Sequence, residues 1–258
     1  GQPVASLAAA MTTSGAAFNS QMGSWSVRLG AAAVFLMAAL NLRLGLWWPH
    51  PTARDTRLSS RLPGLRFYLE MLGISRAAGP AVHLSDGGHF DNTGIYELIR
   101  RHCRYILASD CGADPDLAFD DFGNLVRRVR EDFGVEIQID LSPLRPGANG
   151  LARQPMVAGD IHYPNGDTGV LLLIKPTLVG QEPVDIAQYR RRNPGFPHES
   201  TGDQFYDEAQ WESYRRLGEH AAQVAFRFVE GEAPEQELEK EKARCARVFT
   251  RARFIWMP

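Results

Sequence analysis

Between Ala81 and Pro176 the hydrophobic period of the chain switches repeatedly, and that alternation is what most constrains the fold. AVHLS reads as a short strand, NTGIYELIRR as a helix, and RYILAS (Arg104 to Ser109) as a buried strand. Phe122, Leu125, Val126, Val129 and Phe133 then recur at helical spacing, leaving Arg127, Arg128 and Arg130 outside the stripe. VEIQIDL alternates strictly, which predicts a half-buried strand. GVLLLIKP is a continuous apolar run ended by proline, which predicts a central one. Strands alternating with helices in this way predict an α/β architecture with helices on both faces of a mainly parallel sheet.

The flanking segments are helical in pattern. The Ala-rich first third breaks at Ser14-Gly15 and again at WWPHPT, and LRFYLEML (Leu65 to Leu72) predicts a short helix. The most apolar segment, Gly30 to Trp48, predicts one continuous helix. Its uninterrupted core, Ala31 to Leu40, is about half the ~20 residues that a membrane span needs, and Arg43 falls inside the only longer window. A helix packed on the domain or lying at a membrane surface is therefore expected. In the second case Trp47 and Trp48 would contact lipid at the headgroup boundary. Near the end of the chain, Trp211, Tyr214, Leu217, Ala221, Val224 and Phe228 form one helical stripe, followed by the charged EQELEKEKARCARV. These patterns divide the chain into a helical insertion (27–80), an α/β core (81–178) and a C-terminal helical region (196–250).

Composition removes several classes. A formal charge of −2 over 258 residues leaves no excess of Lys and Arg to neutralise nucleic-acid phosphates. Cys103, Cys111 and Cys245 are odd in number and contain no CxxC, which argues against a disulfide framework or zinc site and fits a reducing compartment. GQPVASLAAAMTT lacks the pattern of a secretory signal. The expected location is cytoplasmic, with peripheral membrane contact left open. No G-x-G-x-x-G follows a strand, which sets aside a dinucleotide-binding domain.

The chemistry concentrates at SDGGHFDN. Asp86 follows the AVHLS strand, and reactive groups in α/β sheets gather where strands end. Gly87 and Gly88 permit backbone angles closed to other residues and allow close approach of another segment. Asp91 or Asn92 is placed to cap the helix that follows, while Val82, Leu84 and Phe90 offer an apolar wall. A bare Asp-Gly is also a common turn, and on the dipeptide alone the turn reading stands.

The longer stretch SDGGHFDNTGIYELIRRHCRYILASDCGADP, Ser85 to Pro115, resembles the catalytic-aspartate region of the patatin-like phospholipases and the related cytosolic phospholipase A2 group. SLAAAMTTSGAAFN (Ser6 to Asn19) is similar to the Ala/Ser-rich segment that precedes that aspartate, and FPHESTGDQFYDEAQWESYRRLGEH resembles the end of a bacterial subgroup. The resemblance implies a three-layer α/β/α sandwich, here incomplete at the N-terminus. It also implies acyl-ester hydrolysis by a Ser-Asp dyad without cofactor or metal, on phospholipid or lysophospholipid. Asp86 matches the dyad aspartate, and Gly87 and Gly88 match the glycines of its motif. A serine hydroxyl needs a base in contact, and a carboxylate serves if burial raises its pKa toward neutrality.

The match is partial. No serine stands in a G-x-S-x-G frame, Ser14 and Ser75 included, and no glycine-rich oxyanion loop is present. The expectation is a C-terminal portion that carries the base and is inactive alone. The spacing from the Ala/Ser-rich segment to Asp86 also exceeds the family's few tens of residues. The dyad reading further expects Asp86 at the C-terminal end of a central strand on a concave surface; a place at a sheet edge or in an exposed hairpin turn would sink the catalytic assignment. The competing class is a non-catalytic α/β module that binds a membrane or a partner.

Other candidates have a structural reading beside the functional one. Asp110, with Asp114, is placed either near the same pocket or as a turn cap at Gly112. His89 with Asp91 lacks a third metal ligand at useful spacing. His198 is a candidate for the pocket rim or for docking a loop to the helix after it, and His83 for a structural role. Arg190, Arg191 and Arg192 read as solvated surface.

Overall fold

In the computed structural model the described residues are 6–16, 36, 44–49, 81–200, 202–203, 205–227 and 238–257. They fall into two units, Gly1–Asn92 and Thr93–Pro258. The Leu65–Leu72 helix and all of the 30–43 segment except Leu36, which is helical, lie outside the described residues.

The first unit holds α1 (Leu7–Ser14) and two strands, β1 (Leu46–Pro49) and β2 (Ala81–Leu84). Ser6 caps α1 by accepting from the Ala9 amide, and Gly15 closes it, as the Ser14-Gly15 break predicts. β1 and β2 are antiparallel, pairing Leu46 with Leu84 and Trp48 with Val82. This corrects the expectation of one helix from Gly30 to Trp48: both tryptophans stand in a strand. Aromatic and apolar residues between Gly45 and the prolines suit a short extended pair as well as a helix end. The helical argument for lipid contact by Trp47 and Trp48 goes with it.

The second unit is α/β. In chain order it contains α2 (Ile95–Arg100), β3 (Tyr105–Ser109), α3 (Asp120–Phe133), β4 (Glu136–Ile139), β5 (Met156–His162), β6 (Thr168–Ile174), α4 (Val184–Arg192), α5 (Glu208–Phe226) and α6 (Leu238–Trp256). The strand order is β3-β6-β5-β4, so GVLLLIKP does form a central strand. The sheet is mixed, which corrects the mainly parallel expectation. β3 and β6 run parallel, whereas β5 is antiparallel to both β6 and β4. The cause is local: Tyr163–Asp167 joins β5 to β6 through Asn165-Gly166, with Gly166 at φ +86°, and so short a link admits only a hairpin.

Helices cover both faces of this sheet. On one, Ile95 and Ile99 of α2 and Phe122, Leu125 and Val129 of α3 bury against Ile106, Val157, Ile161, Leu171 and Leu173. The α3 stripe is the predicted one, and the helix ends at left-handed Gly134. On the other face, Ala225 of α5 and Ala252 of α6 pack on Met156, Ala158 and Leu172. The stripe predicted for α5 is rotated in the structure. Gln210, Ser213, Leu217, Ala221 and Ala225 are its buried positions, and Trp211 is 64% exposed. Gln210 is buried because its amide holds two carboxylates, a polar role that an apolar period does not reveal. No helix among the described residues is long and apolar enough to cross a membrane.

Candidate functional site

The Asp-Gly-Gly corner lies in the first unit. Two residues after the end of β2, Asp86 turns the chain into a short 3-10 segment, Gly87–His89. Its Oδ1 accepts from the Gly88 amide at 2.9 Å, so the carboxylate caps its own turn. Its amide donates to the carbonyl of buried Ala16 at 3.4 Å, joining the corner to the Ala/Ser-rich segment just after α1. The glycines act by lacking a side chain, since neither has positive φ. A Cβ at Gly88 would fall 2.3 Å from Asn92 Oδ1 and 3.3 Å from Asp86 Oδ1, whereas one at Gly87 would meet nothing within 4 Å.

Several expectations at this corner are corrected. Among the described residues β2 pairs only with β1, so they show no central strand ahead of Asp86. This counts against its catalytic assignment, while the held carboxylate and the open space at Gly87 count for it. Leu84 and Phe90 are 39% and 50% exposed and form no closed apolar wall. Gly94, in the left-handed region, occupies the N-cap of α2, and Thr93 Oγ1 accepts from the Ile95 amide, in place of an Asp91 or Asn92 cap. His89 is half-buried in the turn and His83 stands on β2.

A second cluster forms in the other unit, at the C-terminal ends of the parallel pair β3 and β6. Asp110 does cap the turn, its Oδ1 accepting from the Gly112 amide at 3.0 Å. Its Oδ2 also takes a 3.0 Å ion pair from Lys175 Nζ, with the two side chains only 6% and 1% exposed. The Lys175 ammonium reaches the Gly112 carbonyl at 3.4 Å and lies 6.0 Å from the centre of the Phe119 ring. Asp114 is committed to the amides of Ala118 and Phe119.

His198 joins this cluster, and burial, followed by the Lys175 charge, pushes its imidazole below the usual range. Asp114, Asp110 and a hydrogen bond to the Gly112 backbone oppose that shift. Sequence reasoning thus named Asp110 and His198 but not Lys175, which pairs with Asp110 and whose charge disfavours protonation of His198. Its signal was a lysine closing an apolar strand just before proline. Arg191 and Arg192 are exposed as expected, while Arg190 is half-buried and donates to the Phe196 carbonyl.

Among the described residues no group of three His, Cys, Asp or Glu side chains is placed to hold a metal ion. The chain matches no protein-family signature, no curated protein and no solved structure.

Proposed function

We propose that this chain carries the base of a patatin-like lipid acyl hydrolase, acting on phospholipid or lysophospholipid esters without metal or organic cofactor. The described mixed sheet then belongs to a three-layer α/β/α sandwich of that type, in a cytoplasmic enzyme that meets its substrate at a membrane surface. The observation that carries this reading is the Asp86 corner. The two sequence patches that resemble the family, far apart in the chain, meet through the Asp86–Ala16 hydrogen bond, and the carboxylate is fixed by the Gly88 amide.

In this reading Gly88 holds Oδ1 and the other carboxylate oxygen takes the proton of a serine hydroxyl. The serine oxygen attacks the ester carbonyl carbon, the proton passes to the departing alcohol, and water then cleaves the acyl-serine with Asp86 again as base. The serine and the oxyanion donors come from sequence outside these 258 residues, where no G-x-S-x-G occurs. The reading also requires a further strand beside β2.

The test is hydrolysis of p-nitrophenyl esters and lysophospholipid. The 258-residue chain should be inactive, since loss of a serine nucleophile has cost on the order of 10⁶ in rate in a protease. A longer form that adds an upstream elbow serine should be active and should lose that activity on Asp86→Asn. Robust turnover by the 258-residue chain that disappears on mutating Ser14 or Ser75 would overturn the assignment.

A further inference from the structure

The second unit contains a cleft of about 410 Å³, within the range of small-ligand sites. It opens where β3 and β6 end, and Ile174 and Pro176 form part of one wall. The opposite wall comes from the middle of α5, around Gly218. A glycine inside a helix costs roughly 1 kcal/mol relative to alanine. Here a Cβ would meet nothing within 4 Å, so packing does not demand the glycine. What the missing side chain gains is open volume over the cleft.

Chemically the cleft is apolar, aromatic and negative. Tyr206 and Tyr214 line it, stacked with centroids 5.8 Å apart, and Glu199 is the one charged residue among the described residues that line it. No lysine, arginine or histidine is among the described residues that line it. Among the described residues the partners of the Glu199 carboxylate are neutral donors: Tyr189 Oη at 3.4 Å, Gln210 Nε2 at 3.3 Å and the Tyr214 hydroxyl. The same Gln210 nitrogen donates to Asp203 Oδ2 at 3.1 Å, so one uncharged amide bridges two carboxylates. Asp207 adds a third as the cap of α5. Their field reaches Tyr189, whose hydroxyl is pushed up to about 12 by burial first and then by Glu199, Asp207 and Asp203. Neighbouring cations are committed elsewhere, Lys175 to Asp110 and Arg190 to the Phe196 carbonyl.

A ligand must satisfy all three properties. A bare hydrocarbon chain would desolvate Glu199 with no compensating charge, which is costly. An anion would meet like charge. A cation with an apolar shell relieves the carboxylate repulsion and is attracted to aromatic rings. We propose that this cleft binds a quaternary ammonium group of the trimethylammonium type, between Glu199 and the Tyr206–Tyr214 pair. Only the identification of that cation as a lipid headgroup rests on the hydrolase reading; the site itself does not.

The test uses the 258-residue chain and follows saturable shifts of its NMR signals on titration with choline, tetramethylammonium and 3,3-dimethylbutanol, the uncharged isostere of choline. The two cations should bind with dissociation constants on the order of 1 mM, and the isostere at least about tenfold more weakly. Glu199→Gln should weaken choline binding severalfold, and Gly218→Leu, which fills the cleft from an exposed helix position, should abolish it. Phosphocholine binding as well as choline identifies a headgroup; choline binding alone identifies the free base. Equal affinity for the isostere, no saturable binding, or binding unchanged in both variants would overturn the proposal. Asp86→Asn should leave choline binding intact, so a failure of the hydrolase reading is distinguishable from a failure of this one.

Discussion

Replacing Asp110 with asparagine tests what the Lys175 pair does for the fold. The pair is buried on both sides, with Nζ to Oδ2 at 3.0 Å. At an effective dielectric of about 20 the attraction at that distance is about 5 kcal/mol, a gain that desolvation of both ions largely offsets. Removing one partner leaves that desolvation uncompensated and typically costs about 3–5 kcal/mol. Asparagine keeps the shape and the carbonyl that accepts from Gly112, so the loss isolates the charge. With a urea slope of about 2–3 kcal/mol/M, a loss of 4 kcal/mol moves the midpoint by about 1.5 M. Urea unfolding followed by circular dichroism measures the loss, and the double variant Asp110→Asn/Lys175→Met should be far less destabilised than the two singles summed. A loss under about 1 kcal/mol for Asp110→Asn, or strict additivity in the double variant, would refute the reasoning.

Two further outcomes are expected. Gly88→Ala should cost on the order of 1 kcal/mol, because its Cβ displaces Asn92 Oδ1 and crowds the Asp86 carboxylate. Gly87→Ala, entering open space, should stay within about 0.5 kcal/mol; thermal unfolding of the pair checks this. His198, held below the usual 6.5 by burial, favours its neutral form in the fold. Its stabilisation is complete above pH 6.5 and is lost as pH falls from there toward the folded value, because the unfolded chain protonates first. NMR titration of the imidazole should give a midpoint below 6.5, and His198→Asn should remove that part of the acid sensitivity.

The elements with one dominant period were legible. The α3 stripe and the apolar β6 run each bury what their spacing says, because one face meets a sheet or both faces meet helices. The strand direction was not read, although its signal was present. PNGD contains an Asn-Gly pair, the strongest short-range mark of a hairpin, and it announces β5 and its antiparallel pairing together. MVAGDIH escaped notice because its small and polar residues dilute the apolar run, while the folded strand is buried through Met156–Gly159 by packing from both layers. The Trp47-Trp48 pair failed for another reason. Extended and helical readings of a short apolar segment are not separable by period, and here the pairing with Val82 and His83 decides it.

The site was legible where a single local motif carries it and illegible where distant residues converge. Asp86, Gly87 and Gly88 lie within three consecutive positions, so the turn could be read even though the role of the glycines, room for Asn92 and for the carboxylate, could not. Asp110 and Lys175 are far apart in sequence, and they become neighbours only because β3 and β6 pair in parallel with Ser109 opposite Ile174. That register places the residue after each strand at the same end of the sheet. A lysine there is 1% exposed and ionically satisfied because the aspartate beside it takes its charge, with the Gly112 carbonyl as a second acceptor. The same register sets one wall of the cleft, through Ser109 and Ile174, against α5. The parallel pairing of β3 with β6, the part of the mainly parallel expectation that the sheet keeps, therefore brings together both the buried ion pair and the proposed cation site.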